Sequence, residues 1–158
     1  MKELKLSNSD KVALVDDEDF ERCNQLKWKL NGSRKTSIMH RSRKYRGGWI
    51  SLANFILNKV TGITDHKDRN LFNNQKSNLR EATYQQNSFN QSKQDRKTSS
   101  KYKGVCWCKQ KRKWQAYITN SVGKIHLGFF KNEWDAAQVY NFHAEDIFGE
   151  FAHFNSAT

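Results

Sequence analysis

An acid and a histidine stand side by side at Asp65-His66, followed by Asn70, Asn73, Asn74 and Asn78 before one short helical run that carries Asn87. Asparagine is a poor interior residue for helices and strands, so such density calls for loops or for chemistry. These residue types suit phosphodiester hydrolysis. A histidine that titrates near neutrality can take a proton from an attacking water. A divalent ion held by hard oxygens, an Asp carboxylate and an Asn carbonyl, would neutralise the scissile phosphate and the leaving oxygen. One carboxylate and one amide leave most of the coordination shell to substrate and water, which suits magnesium.

Such groups need rigid carriers, and the flanking pattern supplies them. Gly62-Ile63-Thr64 leads into the pair as a short strand ending at an exposed edge. A polar loop runs to Ser77, a short alternating run "NLREA" follows, and a helix opens at Thr83. "TYQQ" has the form of a capping box, Thr83 as N-cap and Gln86 as its partner three residues on. Asn87 then sits just over one turn beyond the cap. The expected order is strand, loop, strand, helix, with Asp65-His66 on one arm and Asn87 on the other. The competing explanation is an asparagine-rich capped helix with an incidental Asp and His.

This segment resembles the ββα-metal motif of HNH endonucleases, especially the phage homing-type branch. The family pattern is roughly Asp-His, a polar loop, then "NNxxxNLR.AT..QN". The matching residues are Asp65-His66, Asn73-Asn74, Asn78-Leu79-Arg80, Ala82-Thr83 and Gln86-Asn87. The resemblance implies His66 as general base, Asp65 and Asn87 as metal ligands, and Asn78 as the asparagine that braces the catalytic loop. It implies magnesium or manganese rather than zinc, because an Asn oxygen is a hard ligand. Arg69 and Arg80 are candidates for phosphate contacts near the scissile bond, or for structural roles. Relatives often carry a histidine in the helix before the Asp-His pair. In this chain that helix corresponds to "LANFIL", with Ala53 at the histidine's place, and His40 lies too far upstream to substitute.

From Lys101 the pattern changes. "YKGVCW", "KWQAYIT" and "KIHLGFF" are short runs rich in aromatic and β-branched residues, separated by turn-forming "CKQKRK" and "NSVG". "NEWDAAQVYNFHAEDIF" reads as one amphipathic helix, with Ala137, Tyr140, Ala144 and Ile147 or Phe148 on one face. Asn132 and Asp135 make a capping-box-like start and Gly149 a stop. Residues 101–155 resemble the ethylene-response-factor (apetala-type) DNA-binding domain, through "KYKGV.W", "KW.A.I", "GK..LG.F", "DAA..YN" and "FGEFAHFN". The resemblance implies a three-stranded sheet laid in the major groove and braced behind by the helix.

Strand alternation divides the faces in the same way. Trp114, Ala116 and Ile118 point one way, Gln115, Tyr117 and Thr119 the other. Ile125 and Leu127 are expected to face the helix, Lys124 and His126 the solvent. With Lys103, Lys109, Lys111 and Arg112 at the first strand and its turn, the outward set forms the expected DNA-binding residues. Lysine lacks the planar fork that reads guanine, so phosphate anchoring should dominate over sequence discrimination. Trp107 and Trp114 are stacking candidates, Trp114 with a competing place against the helix. Cys106, Cys108 and His126 satisfy a crude zinc pattern, but no second cysteine pair follows.

The chain of 158 residues has a formal net charge of +12 and a pI near 9.7, which points to a polyanionic partner. Leu26 to Thr64 holds nine Lys or Arg and no acid, and Ala82 to Trp114 nine more against Asp95 alone. An ordinary solvated lysine-rich surface is the plainer account of that charge. There is no apolar run long enough for a membrane span, and the N-terminus is too polar for a signal peptide. Three cysteines make no even disulfide framework. These features predict a cytoplasmic protein (the host's cytoplasm if phage-encoded) with no membrane partner and no small-molecule cofactor.

The expected fold class is α+β: a nuclease domain over 1–90, with its core motif at 62–90, a basic polar linker over 91–100, and the three-stranded sheet on one helix over 101–155. Further elements are a strand at 11–15, a helix from Asp16 whose acids favour its N-terminus, a hairpin of "WKL" and "TSIMH", and a mostly buried helix in "WISLANFILNKV". The expected activity is metal-dependent cleavage of double-stranded DNA, a nick being the simpler outcome for a monomer with one site. The alternatives are a DNA-binding regulator without catalysis and an RNA-binding factor.

Overall fold

The computed structural model describes residues 1–31, 37–42, 44, 48–93 and 98–157. The expected "NGSRK" turn lies beyond Asn31 outside the described residues, as does the centre of the expected linker. The chain is α+β and forms two compact units, residues 1–87 and 88–158.

In the first unit β1 (Lys2–Leu6) and β2 (Ser9–Val15) pair antiparallel. Helix α1 (Asp17–Asn24) follows, then an antiparallel sheet of β3 (Lys29–Asn31), β4 (Ser37–Arg41) and β5 (Trp49–Ser51). Helix α2 (Leu52–Ile56) precedes the hairpin of β6 (Ile63–His66) and β7 (Leu79–Ala82), and α3 (Tyr84–Asn90) starts in this unit and runs on past its last residue, Asn87.

One core gathers side chains from β1 through α2 and from β7. Trp28 is fully buried among Leu4, Val15, Cys23, Leu52 and Ile56, and its indole N–H donates to the Cys23 carbonyl at 2.8 Å. An aromatic ring of that size dominates the burial energy of so small a core. Burial pushes the Cys23 thiol up to about 11, so it behaves as a small hydrophobe. His40 is a strand histidine whose Nδ1 lies 3.0 Å from the Lys27 carbonyl.

Two expectations need correction. "WISLANFILNKV" is a strand followed by a single helical turn. Ser51 caps that turn by accepting from Asn54 N at 3.1 Å, which ends the strand there. Val60, counted with the buried set, is 63% exposed. Asp16 stands at the N-cap of α1, but its carboxylate does not cap the helix. It reaches instead across 59 residues of sequence to Gln75 and Lys76.

In the second unit β8 (Val105–Cys108), β9 (Lys113–Thr119) and β10 (Lys124–Phe130) form an antiparallel sheet in the order β10-β9-β8. Helix α4 (Glu133–Phe148) buries Ala136, Ala137, Tyr140, Ala144 and Phe148. Gly104 has φ +72°, and a Cβ there would overlap the Tyr140 ring, so only glycine lets the helix approach this closely. Ile125, expected to face the helix, pairs with the buried Ile118 but is itself 41% exposed. A bulge between His126 and Gly128 then shifts the register. Asn132 meets Asp135 side chain to side chain at 3.0 Å rather than capping the backbone.

The described ends of the expected linker are packed. The Lys93 ammonium donates to the carbonyls of Tyr102 and Val105, and Ser99 accepts from Trp107 N. Burial lowers the pKa of Lys93. No helix among the described residues is long and apolar enough to cross a membrane.

Candidate active site

Strands β6 and β7 set the geometry. Asp65 pairs with Arg80 and His66 with Leu79. Cross-strand partners share a face, so Asp65 and Arg80 meet while His66 turns toward the side of the core residue Leu79. Asp65 is 4% exposed, and its Oδ2 accepts from Arg80 Nε at 2.8 Å and Nη2 at 2.7 Å. The guanidinium neutralises the buried carboxylate and fixes its rotamer. Arg80, a candidate phosphate contact, is thereby committed to Asp65.

His66 ends β6, with Nε2 3.2 Å from the Asn74 Oδ1. Burial holds its pKa below the ordinary 6.5, against the opposing pull of the Asn74 bond and of Asp68 and Asp65. The imidazole is therefore neutral near pH 7, the form that accepts a proton.

The connecting loop folds around Asp68 and Asn78. Asn78 is 9% exposed; its Nδ2 donates to Asp68 Oδ1 at 2.9 Å and to the Asn73 carbonyl at 2.8 Å, while its Oδ1 accepts from Asp68 N at 3.1 Å. Asp68 also accepts from Asn70 N and Asn73 Nδ2. Burial raises the pKa of Asp68, but these three donors and His66 outweigh it, and the carboxyl lies below its usual range. Arg69 is exposed in the loop with φ 63°, its N–H donating to the His66 carbonyl.

Strand β2 grips the far side of the loop. Leu14 N donates to the Phe72 carbonyl at 2.7 Å and Leu14 O accepts from Asn74 N at 2.8 Å. Asp16 accepts from Gln75 Nε2 at 3.1 Å and Lys76 N at 2.8 Å. The Lys76 ammonium pairs with Glu18 and with the buried Asp19, which also holds Arg22. The acids of α1 thus serve cations and the loop.

At the helix start Thr83 N donates to Gln86 Oε1 and Gln86 N to Thr83 Oγ1, the two halves of a capping box. Asn87, half-buried, closes the first turn through its N–H to the Thr83 carbonyl at 3.0 Å. Among the described residues no three His, Cys, Asp or Glu side chains are grouped to hold a metal ion. The cation ligands expected at this hairpin, Asp65 and the Asn87 amide oxygen, would be completed by water or phosphate. That hard-oxygen set fits magnesium or manganese, and a carboxylate has about four acceptor positions, so one oxygen bonded to Arg80 does not exhaust it.

The residues expected to contact DNA separate into two groups. Lys103 is engaged elsewhere: its Nζ donates to the Phe89 carbonyl at 2.6 Å, to Gln91 at 2.7 Å and to Ser88 at 3.4 Å. It acts as a helix C-terminal cation, and its exposure to a phosphate is reduced accordingly. Lys109, Lys111, Arg112, Thr119, Lys124 and His126 are exposed, with Gln115 and Tyr117 between them half-buried. Lys124 lies over the Tyr117 ring at 3.7 Å and Lys111 over Phe129 at 5.1 Å. Gln115 links Cys106, whose thiol donates to Oε1, to His126, whose Nδ1 accepts from Nε2 at 3.0 Å. Trp114 packs against the sheet–helix core, and Trp107 meets it edge-on at 5.1 Å.

Sequence reasoning missed the parts played by Asn74, Asp68 and the β1–β2 hairpin. The density of asparagine in the loop was the available signal, but nothing local reveals that Asn74 is 1% exposed beneath β2.

No family model and no solved structure matches the chain. It is similar to a protein of Acanthamoeba polyphaga mimivirus named as an uncharacterized HNH endonuclease, 44% identical over 88 residues. The similarity covers 56% of this chain and 44% of that protein, so the chain spans less than half of the relative's length.

Proposed function

We propose that the protein is a metal-dependent DNA endonuclease of the HNH kind, hydrolysing phosphodiester bonds in duplex DNA. The observation that carries the proposal is a neutral, anchored histidine adjoining a buried carboxylate at the end of one hairpin arm, with a capped helix after the other. The name of the mimiviral relative, and the resemblance of Asp65-His66 through Asn87 to the HNH motif, support the same reading.

In this mechanism His66 accepts a proton from water, whose oxygen forms a bond to phosphorus as the bond to the 3′ oxygen breaks. The departing 3′ oxygen takes a proton from solvent, so the products are 5′-phosphate and 3′-hydroxyl ends. Asp65 and Asn87 would hold magnesium or manganese, which when bound supplies positive charge at the phosphate and leaving oxygen. Asn78 holds the loop through Asp68 and Asn73. Arg69 remains a candidate phosphate contact; Arg80 orients Asp65.

The second unit would anchor the duplex through Lys109, Lys111, Arg112, Gln115, Tyr117, Thr119, Lys124 and His126, in the manner of the ethylene-response-factor sheet. A nick by a monomer is the expected product. Supercoiled plasmid incubated with magnesium or manganese tests the reading: relaxation to nicked circles that chelator abolishes is expected. Binding that survives chelator, with no cutting under either metal, would leave a DNA-binding regulator in its place.

A further inference from the structure

Asn74 has no role in the chemistry so far, yet it is among the most deeply buried polar side chains of the described residues. Its N–H donates to the Leu14 carbonyl at 2.8 Å, its Nδ2 donates to the Leu71 carbonyl at 2.9 Å, and its Oδ1 lies 3.2 Å from His66 Nε2. A carbonyl oxygen can only accept, so the amide nitrogen faces Leu71 and the amide oxygen faces the imidazole. That oxygen can also only accept, so the imidazole nitrogen facing it carries the hydrogen.

We infer that Asn74 is a positioning residue that fixes His66 in the Nε2–H tautomer and assigns the proton-accepting role to Nδ1. The inference rests on the hydrolytic reading for its purpose, but its geometry is independent of that reading. When a water O–H bond breaks, the proton joins Nδ1, and the resulting imidazolium keeps its Nε2–H bond to Asn74. The opposite tautomer would present N–H to the water and no lone pair. Asn74 is itself held on both sides. Leu14 bonds to Phe72 and Asn74, and Asp16 bonds to Gln75 and Lys76, so the end of β2 clamps the whole segment 72–76. This gives the N-terminal hairpin a task in the site: it sets the height of the loop that orients the base.

The test is the ring-nitrogen spectrum of His66 in the full-length, 15N-labelled protein at mildly alkaline pH, its signal assigned by its loss in His66→Ala. The wild type should show the Nε2–H pattern, and Asn74→Ala a mixture of tautomers. Plasmid nicking by Asn74→Ala should fall about 10- to 100-fold in kcat, by analogy with the loss seen when the partner orienting a metal-bound histidine is removed, with little change in KM. An Nδ1–H pattern in the wild type would overturn the assignment, and that reading stands even if the variant fails to fold. An Asn74→Ala protein that keeps both the pattern and the rate would also overturn it. If the tautomer shifts as expected but neither protein cuts DNA with either metal, the tautomer assignment holds and the hydrolytic reading fails.

Discussion

The hairpin site and the outer face of the second sheet treat their polar groups in opposite ways. At the hairpin, Asp65, Asn74 and Asn78 are buried and each side chain has at least one fixed partner within the unit. On the sheet, Lys109, Lys111, Arg112 and Lys124 are exposed, and Lys111 and Lys124 lie over the aromatic rings beneath them. The contrast follows from the tasks proposed for each. Proton transfer depends on a geometry correct to a fraction of an ångström, which only a closed hydrogen-bond network holds. Attraction of a polyanion works through charge at a distance and tolerates mobile side chains. Rigidity therefore concentrates where bonds would be made and broken.

The largest effect expected from breaking this contrast lies at Arg80. Arg80→Met would remove the guanidinium from the buried Asp65 carboxylate, a loss of about 3–5 kcal/mol in unfolding free energy by urea titration. A loss below about 1 kcal/mol would mean that the pair behaves as an exposed one.

A smaller effect should come from pH. His66 has a lower pKa folded than unfolded, so below pH 6.5 the unfolded chain binds the proton more readily. Stability from this group is complete above the ordinary value and falls as pH drops through the range beneath it. Asp68, whose folded pKa is also depressed, loses its contribution in a lower window, below the ordinary 3.8. Melting temperatures should therefore decline from pH 7 to pH 5 in the wild type and decline less in His66→Gln. Parallel curves would contradict the burial assigned to the imidazole.

The smallest effect on folding is expected on the sheet. Ala substitution of Lys109, Lys111, Arg112 and Lys124 together should leave the melting temperature nearly unchanged, because surface changes of this kind usually stay within about 0.5 kcal/mol each. The same variant should lower the slope of log affinity against log salt by up to about one for each phosphate no longer neutralised. An unchanged slope would show that this face does not meet the phosphates.

Much of this organisation was legible in the sequence, and the reasons differ by element. The alternation of Trp114 to Thr119 and the spacing of Ala137, Tyr140, Ala144 and Phe148 are local periodic signals, and the sheet and helix follow them. The Thr83–Gln86 box is equally local. Asp16 is a plausible cap by position, but its carboxylate bonds to residues 59 and 60 places away, which no local pattern encodes. Lys103 reads as a free cation in the sequence, whereas in the fold the carbonyls of Ser88, Phe89 and Gln91 claim it. The strand β1 alternates as "KELKL", but a polar run of five residues becomes a strand only through its pairing with β2. Long-range partners decided these misses, whereas the Ser51 cap and the Asn132–Asp135 pair are local.

The central claim is that a preformed neutral histidine performs the proton transfer. Its most direct test compares wild type with His66→Ala on supercoiled plasmid under magnesium, at protein concentrations where both bind the DNA equally. A positioned general base is worth roughly 10²- to 10⁴-fold, so the variant should accumulate nicked circles at least about a hundredfold more slowly. Equal rates in the two proteins would contradict the account and move the chemistry away from His66.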